Sequence, residues 1–124
     1  MKATIITVIA VLGFVVAALA QEMAGIGLDI VQRKNPNEPL RTKTVYPGSP
    51  AEKAGIKPDG FLISVDGTNV VSMSLTQAVK MVRGPVGTSV TVQLADSKMT
   101  HTNTFTIKRS RMVIVDNKMQ FFDH

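Results

Sequence analysis

The chain has 124 residues, enough for one ordinary domain with a short leader or tail. Hydrophobic residues make up 44% and charged residues 19%, which favours a packed core and excludes a wholly disordered chain. With a net charge of only +5 and 5% aromatic residues, we expect no nucleic acid partner, because bases need basic surface and stacking partners. The chain lacks cysteine, which excludes disulfides, thiolate metal sites and a cysteine nucleophile.

Residues 1–20 have the pattern of a secretory signal peptide. Lys2 precedes an unbroken apolar and small-residue stretch from Ala3 to Ala20, and small side chains at Ala18 and Ala20 predict cleavage after Ala20. The alternative is an uncleaved anchor, because such a helix nearly crosses a hydrocarbon core of about 30 Å. We therefore expect an exported protein, periplasmic or secreted, or one anchored facing outside the cytoplasm, with membrane contact through this segment only.

The next segment predicts a glycine-rich turn followed by two strands. Gly25-Ile26-Gly27-Leu28-Asp29-Ile30-Val31 places two glycines before an alternating apolar run. Prolines and asparagines between Gln32 and Pro39 favour a loop, and Thr42 to Tyr46 then offers a second short strand.

The middle of the chain predicts a short capped helix and a hairpin. Ser49-Pro50-Ala51-Glu52 is a capping box with proline at the first helical position, and Gly55 supplies a left-handed stop. The apolar run from Phe61 to Val65 predicts a buried strand, and Asp66-Gly67 predicts a tight turn into a partner strand.

The second half predicts an amphipathic helix and a hairpin. Ser74 opens another capping box, and apolar residues from Leu75 to Val82 recur at helical spacing until Gly84-Pro85. Ser89 to Leu94 and Thr100 to Lys108 alternate apolar and polar residues, as hairpin strands do. Arg111 to Val115 extends this pattern, whereas residues 116–124 lack periodicity and predict a frayed tail.

One local cluster of positive charge stands out from the scattered basic residues. Lys108, Arg109 and Arg111 lie together where the predicted strand from Thr100 to Lys108 ends. Such a cluster is typical of a solvent-exposed strand edge. The alternative is a contact with anionic envelope polymers or lipid headgroups, which would weaken as salt rises.

In this order, the elements resemble a PDZ domain. The resemblance lies in Gly25-Ile26-Gly27-Leu28, in the run from Gly48 to Pro58 with Val65-Asp66-Gly67, and in the segment from Met73 to Pro85. The sequence of these segments is similar to that of the PDZ domains of bacterial carboxyl-terminal processing (tail-specific) proteases. The resemblance implies a mainly β fold with two helices, a partly open antiparallel β-barrel or sandwich capped by one short and one longer helix. We assign residues 1–20 to the signal peptide, 21–110 to the PDZ-like domain and 111–124 to a C-terminal extension.

The resemblance also implies a site for peptide C-termini. A partner's tail would add as a strand beside Leu28 to Gln32, and its carboxylate would lie on the N–H groups of the glycine turn. Leu75 offers no hydrogen bond to a ligand hydroxyl, so we expect apolar ligand tails. The predicted peptide-binding residues are Gly25, Ile26, Gly27, Leu28, Ile30, Leu75, Val79 and Val82.

Two features depart from the family pattern. Pro58-Asp59-Gly60 replaces the usual Pro-Gly-Asp, so we expect an altered turn and an exposed Phe61. The cationic residue that often assists the carboxylate is replaced by Glu22 and Met23, so a distant Arg or Lys, or water, must help.

The residues suggest no catalytic machinery. A processing protease needs a Ser nucleophile and a Lys base on a separate domain, for which the residues after Ala20 leave no room. His101 lies in an alternating strand and is expected to face solvent, and the acidic residues have no metal-ligand spacing. We expect no enzyme activity and neither cofactor nor metal.

The expected partners are C-terminal peptides of other exported proteins. The leading hypothesis is a stand-alone adaptor. A second is a regulatory or substrate-recruiting piece of an envelope protease encoded elsewhere, and a third is a structural domain whose groove is filled by its own tail, Val113 to Phe122. The sequence does not predict an oligomeric state.

Overall fold

The structure is a computed structural model and describes residues 23–122. The predicted signal peptide lies outside the described residues. Within them the elements are, in chain order, β1 (Met23–Ala24), β2 (Leu28–Val31), β3 (Leu40–Val45), α1 (Pro50–Lys53), β4 (Gly60–Val65), β5 (Thr68–Asn69), α2 (Leu75–Val82), β6 (Gly84–Pro85), β7 (Ser89–Ala95), β8 (Thr102–Lys108), β9 (Arg111–Val115) and β10 (Lys118–Phe122).

The main sheet is antiparallel and open. Its strands lie in the order β2-β3-β4-β7-β8, with β5 paired to β4 beside this path. β1 pairs with β6, and β9 pairs with β10, as two small separate sheets. The expected mainly β fold with two helices is confirmed, and the sheet remains open because β2 and β8 are both edge strands.

Alternation along the strands builds the core. Leu62 and Val65 of β4 and Val90 and Val92 of β7 have no exposed surface. Val90 and Val92 share one face because side chains of a strand alternate, and the register shift between Leu62 and Ser64 returns Val65 of β4 to the buried side. All four belong to one core cluster with residues of both helices. α2 contributes Ala78 from its apolar face, as its sequence periodicity predicts.

Both helix starts carry the predicted caps. Ser49 Oγ accepts from the Glu52 N–H at 3.1 Å, and Ser74 Oγ accepts from the Gln77 N–H at 3.2 Å. In α1 the capping glutamate reaches one residue further back than the standard box, because its carboxylate accepts from the Gly48 N–H at 2.9 Å. Each cap satisfies an otherwise unpaired N–H of the first turn.

The turn before β4 corrects one expectation. Asp59 adopts a left-handed φ of +63°, the conformation that glycine would ordinarily provide. This turn delivers Phe61 into the structure with only 6% of its surface exposed, so the expectation of an exposed Phe61 is wrong. The Arg41 guanidinium lies 5.3 Å from the centre of its ring and covers it.

The segment after β8 also differs from expectation. Residues 118–122 form β10, paired with β9, so the expected frayed tail is wrong. Asp116 and Asn117 adopt positive φ values of 52° and 62°, as a tight hairpin turn requires. Both residue types tolerate this conformation, which a reading of hydrophobic periodicity does not register.

Within residues 23–122, no helix is long and apolar enough to cross a membrane.

Candidate functional site

An edge strand and a helix face each other across a groove. β2 pairs with β3 on one side only, and its other side faces α2. An edge strand presents N–H and C=O groups to any extended chain that lies beside it. The groove can therefore accept a strand by main-chain pairing.

The residues Gly25 to Leu28, termed here the glycine loop, close one end of this groove. Their carbonyls point toward the protein: Ile26 O accepts from the Ala51 N–H at 2.8 Å, and Gly27 O accepts from the Tyr46 N–H at 2.9 Å. Gly25 exchanges backbone hydrogen bonds with Ser110 at 2.9 and 3.2 Å. These bonds fix the loop from three directions.

The same bonds leave two adjacent donors unused. No acceptor among residues 23–122 pairs with the N–H of Ile26 or of Gly27. Gly27 has a φ of +81°, and successive N–H groups in such a turn form a concave site for an anion. A carboxylate is the anion that a peptide terminus supplies.

A pocket of about 190 Å³ adjoins the loop. Its lining comprises Gly25, Ile26, Gly27, Leu28, Asp29, Ile30, Tyr46, Val79, Val82, Arg83, Met112 and Met119. Seven of the eight predicted peptide-binding residues are in this set. The exception is Leu75, which is half-buried at the start of α2 and packs against the core. Their role in binding remains a prediction.

Val82 both lines the pocket and belongs to the core, with 4% of its surface exposed. Val79, one helical turn earlier, is half-buried. Of the two valines, Val79 is therefore the one that a ligand can contact more extensively.

Several pocket residues were missed by the sequence reasoning. Arg83 lies at the end of α2 and supplies a positive charge beside the loop, in place of the missing upstream cation. Met112 and Met119 come from the β9–β10 hairpin, which the sequence predicted as a strand extension and a frayed tail.

Two arginines fix α2 at its two ends. Arg33 donates to the carbonyls of Val71 and Met73, at 3.2 and 2.6 Å, just before the helix begins. Arg109 donates to the carbonyls of Val82 and Met81, at 2.9 and 3.3 Å, where the helix ends. A cation at a helix C-terminus also complements the helix dipole.

The prediction that the basic cluster is a solvent-exposed edge is wrong for Arg109. Only 7% of its surface is exposed, and it also donates to Thr88 Oγ1 at 2.9 Å. Its guanidinium lies against Gly84, where a Cβ atom would be 2.7 Å from Arg109 Cζ. Of the three residues in this cluster, only Lys108 is exposed, and Arg111 is half-buried.

The turn between β7 and β8 is outside the groove. His101 has 82% of its side chain exposed, which confirms that it faces solvent. Thr100 donates to the Asp96 carboxylate from its hydroxyl and from its N–H, both at 2.8 Å, and these bonds lower the pKa of Asp96 to about 2. Among residues 23–122 no group of three or more His, Asp or Glu side chains is placed to hold a metal.

An open antiparallel sheet, a groove between its edge strand and an amphipathic helix, and a glycine loop with free N–H groups together define the PDZ class of fold. Comparison with known proteins agrees. Residues 41–96 match the family model of the PDZ domain, and this domain is related to those of carboxyl-terminal processing proteases.

Two relatives illustrate this relationship. A carboxyl-terminal-processing protease of Synechocystis sp. is 32% identical over 88 residues, covering 71% of this chain and 20% of the relative. The carboxy-terminal processing protease CtpA of Bacillus subtilis is 51% identical over 47 residues, or 38% of this chain and 10% of the relative. The chain thus spans a fifth or less of these two relatives.

Solved structures show the same fold. A photosystem II D1 C-terminal processing protease superimposes with a TM-score of 0.68 at 30% identity, over 81% of this chain and 27% of that one. The PDZ domain of a carboxy-terminal protease from Vibrio cholerae, in complex with a peptide, gives a TM-score of 0.59 at 21% identity, over 71% of this chain and 95% of that one.

Proposed function

We propose that the domain binds the C-termini of other exported proteins by adding them as a strand to β2. The observation that carries this is the pair of unused N–H groups of Ile26 and Gly27, which end a groove along a free strand edge. The peptide in the Vibrio cholerae structure supports peptide binding as a property of the related fold.

The pocket chemistry favours apolar termini. Leu28, Ile30 and Val79 are half-buried and provide aliphatic contact, whereas Arg83 adds a charge that attracts the carboxylate. A few main-chain hydrogen bonds at about 1 kcal/mol each, with one buried side chain at about 2 kcal/mol, give dissociation constants on the order of micromolar. Partners would exchange quickly.

The main-chain edge of β2 is available to an added strand. Phe121 of the tail segment Val113 to Phe122 lies against Gly27, and Met119 lines the pocket, but none of the described residues of the segment pairs with β2. The tail thus contributes a wall and leaves the strand edge unpaired, which favours an external strand over the self-occupied groove.

The direct test compares matched peptides with free and amidated C-termini. Fluorescence anisotropy with hexapeptides ending in Leu should show binding that amidation weakens at least tenfold, because the amide lacks the negatively charged oxygens to which the N–H groups donate. Equal binding of both peptides would overturn the proposal.

A pair of variants on α2 locates the site. Val79→Lys should abolish binding, because Val79 lines the pocket. Thr76→Lys places the same charge on an exposed position of the same helix and should leave binding within about twofold. Equal losses would place the ligand elsewhere.

We propose further that the chain acts outside the cytoplasm as a binding module without catalytic residues of its own. The apolar leader after Lys2 supports export. N-terminal sequencing of the protein purified from cells should begin at Gln21, whereas Met1 would indicate an anchored form.

The kinship with processing proteases favours a second candidate, a part that recruits substrates to a protease. Adding the domain to an envelope protease preparation should then raise the cleavage rate of a peptide with an apolar terminus. The Val79→Lys variant should fail to do so. An unchanged cleavage rate would contradict the recruiting role and leave the adaptor function as the remaining candidate.

A further inference from the structure

The β9–β10 hairpin lies against the glycine loop. The Met112 methyl carbon is 3.1 Å from where a Cβ on Gly25 would be, and a ring carbon of Phe121 is 3.1 Å from the same point on Gly27. The backbone bonds between Gly25 and Ser110 join the base of the hairpin to the loop. The hairpin is therefore a fixed neighbour of the loop.

One face of the hairpin is apolar. Met112 pairs across the strands with Phe121, and Ile114 pairs with Met119. Side chains of paired residues share a face, so these four residues point the same way. This face lies over the glycine loop at Met112 and Phe121 and extends past it to Ile114, which is 70% exposed.

Both methionines of this face line the pocket beside the loop, together with Val79 and Val82 of α2. The hairpin therefore adds a wall of its own to a groove that is otherwise formed from β2, α2 and the glycine loop.

We propose that Met112 and Met119 contact the terminal side chain of a bound peptide and determine which apolar termini bind. This inference rests on the proposed function and deepens it. The pocket that they line has a volume of about 190 Å³, enough for one large apolar side chain. Methionine is unbranched and polarizable, so it adapts to aliphatic and aromatic side chains of different shape. The pair should favour large apolar termini over small or acidic ones.

The test uses labelled hexapeptides that share five upstream residues and end in Ala, Leu, Phe or Asp. The wild-type protein should bind the Leu and Phe peptides at least fivefold more tightly than the Ala and Asp peptides, because only the large apolar side chains contact the methionines extensively. Met119→Ala removes one wall. It should weaken binding of the Leu peptide between about fivefold and twentyfold and bring the ratio of Leu to Ala affinity close to one.

Met99→Ala is the matched control, because Met99 is 50% exposed on the turn between β7 and β8. It should leave every affinity and every ratio unchanged. Met112→Leu keeps the volume against Gly25 and tests the second wall without removing the support of the loop, with an expected change in the Leu to Ala ratio. Unfolding curves establish that each variant is folded.

The outcomes separate the two proposals. Carboxylate-dependent binding with ratios that shift in the methionine variants alone supports the inference. Carboxylate-dependent binding with unchanged ratios, or with equal losses for all four peptides, overturns the role of the methionines and leaves the proposed function intact. If the wild-type protein binds free and amidated peptides equally, the proposed function fails and the inference fails with it.

Discussion

Arg109 Nε donates a hydrogen bond to the carbonyl oxygen of Val82 over 2.9 Å, joining the residue after β8 to the last residue of α2. Val82 lines the pocket beside the glycine loop. The position of one groove wall therefore depends on a buried cation 27 residues further along the chain.

Replacing Arg109 should destabilise the domain. Arg109→Met leaves the Met81 and Val82 carbonyls without their donor and should lower the free energy of unfolding by about 3 kcal/mol. Arg109→Lys should recover part of this loss. Urea denaturation measures both. Lys108→Met, at an exposed neighbour, should change stability by no more than about 0.5 kcal/mol. A loss no larger than this in Arg109→Met would contradict the role assigned to the guanidinium.

Two glycines with similar backbone angles should respond differently to alanine. Gly27 and Gly48 have φ values of +81° and +76°, but a Cβ on Gly27 would be 2.1 Å from Ser49 Cβ, whereas one on Gly48 meets no atom within 4 Å. Gly48→Ala should cost about 1 kcal/mol from backbone strain alone. Gly27→Ala should cost about 3 kcal/mol and remove carboxylate-dependent binding, as urea denaturation and anisotropy would measure. Equal costs would show that the loop has room to shift.

Arg83 should contribute attraction for the ligand carboxylate. Arg83→Gln should weaken binding of the peptide with a free C-terminus between about threefold and tenfold at low salt. It should also reduce the salt dependence of that binding, because the Arg83 side chain is exposed beside the pocket and its attraction is screened by salt. Anisotropy titrations at two salt concentrations measure this. Lys80→Gln removes an exposed charge of the same helix from outside the pocket lining and should have a smaller effect. If the amidated peptide lost as much affinity as the peptide with a free C-terminus, Arg83 would not be acting on the carboxylate.

The turn between β7 and β8 should loosen in acid. Hydrogen bonds from the Thr100 hydroxyl and N–H lower the pKa of Asp96 from 3.8 to about 2. Because the folded pKa is the lower one, the stabilisation is complete above about pH 4 and is lost as pH falls through about 2. A carbon-13 NMR titration of the Asp96 carboxyl measures this pKa directly.

Thr100→Val tests the cause of that shift. The variant lacks the donating hydroxyl, so the pKa of Asp96 should rise toward 3.8. Thr104→Val, at an exposed position further along β8, should leave the titration unchanged. If the pKa stays near 2 in Thr100→Val, the shift comes from the Thr100 N–H and from His101 rather than from the hydroxyl.

Local chemistry made most elements predictable. The capping boxes at Ser49 and Ser74, the Asp66-Gly67 turn and the strand alternation each involve residues close in sequence, so their patterns can be read directly. The Asp116-Asn117 turn is equally local, but it was obscured because the strands beside it carry apolar residues on both faces.

The sequence by itself determined the order of elements, the PDZ fold and the glycine loop, because caps, turns and periodicity act between neighbours in the chain. Only the tertiary structure decided that Arg109 is buried, that Phe61 is covered by Arg41, and that two methionines of the β9–β10 hairpin line the pocket. These contacts join residues far apart in the chain. Burial and hydrogen bonding at such positions depend on which surfaces meet, and no local pattern records that.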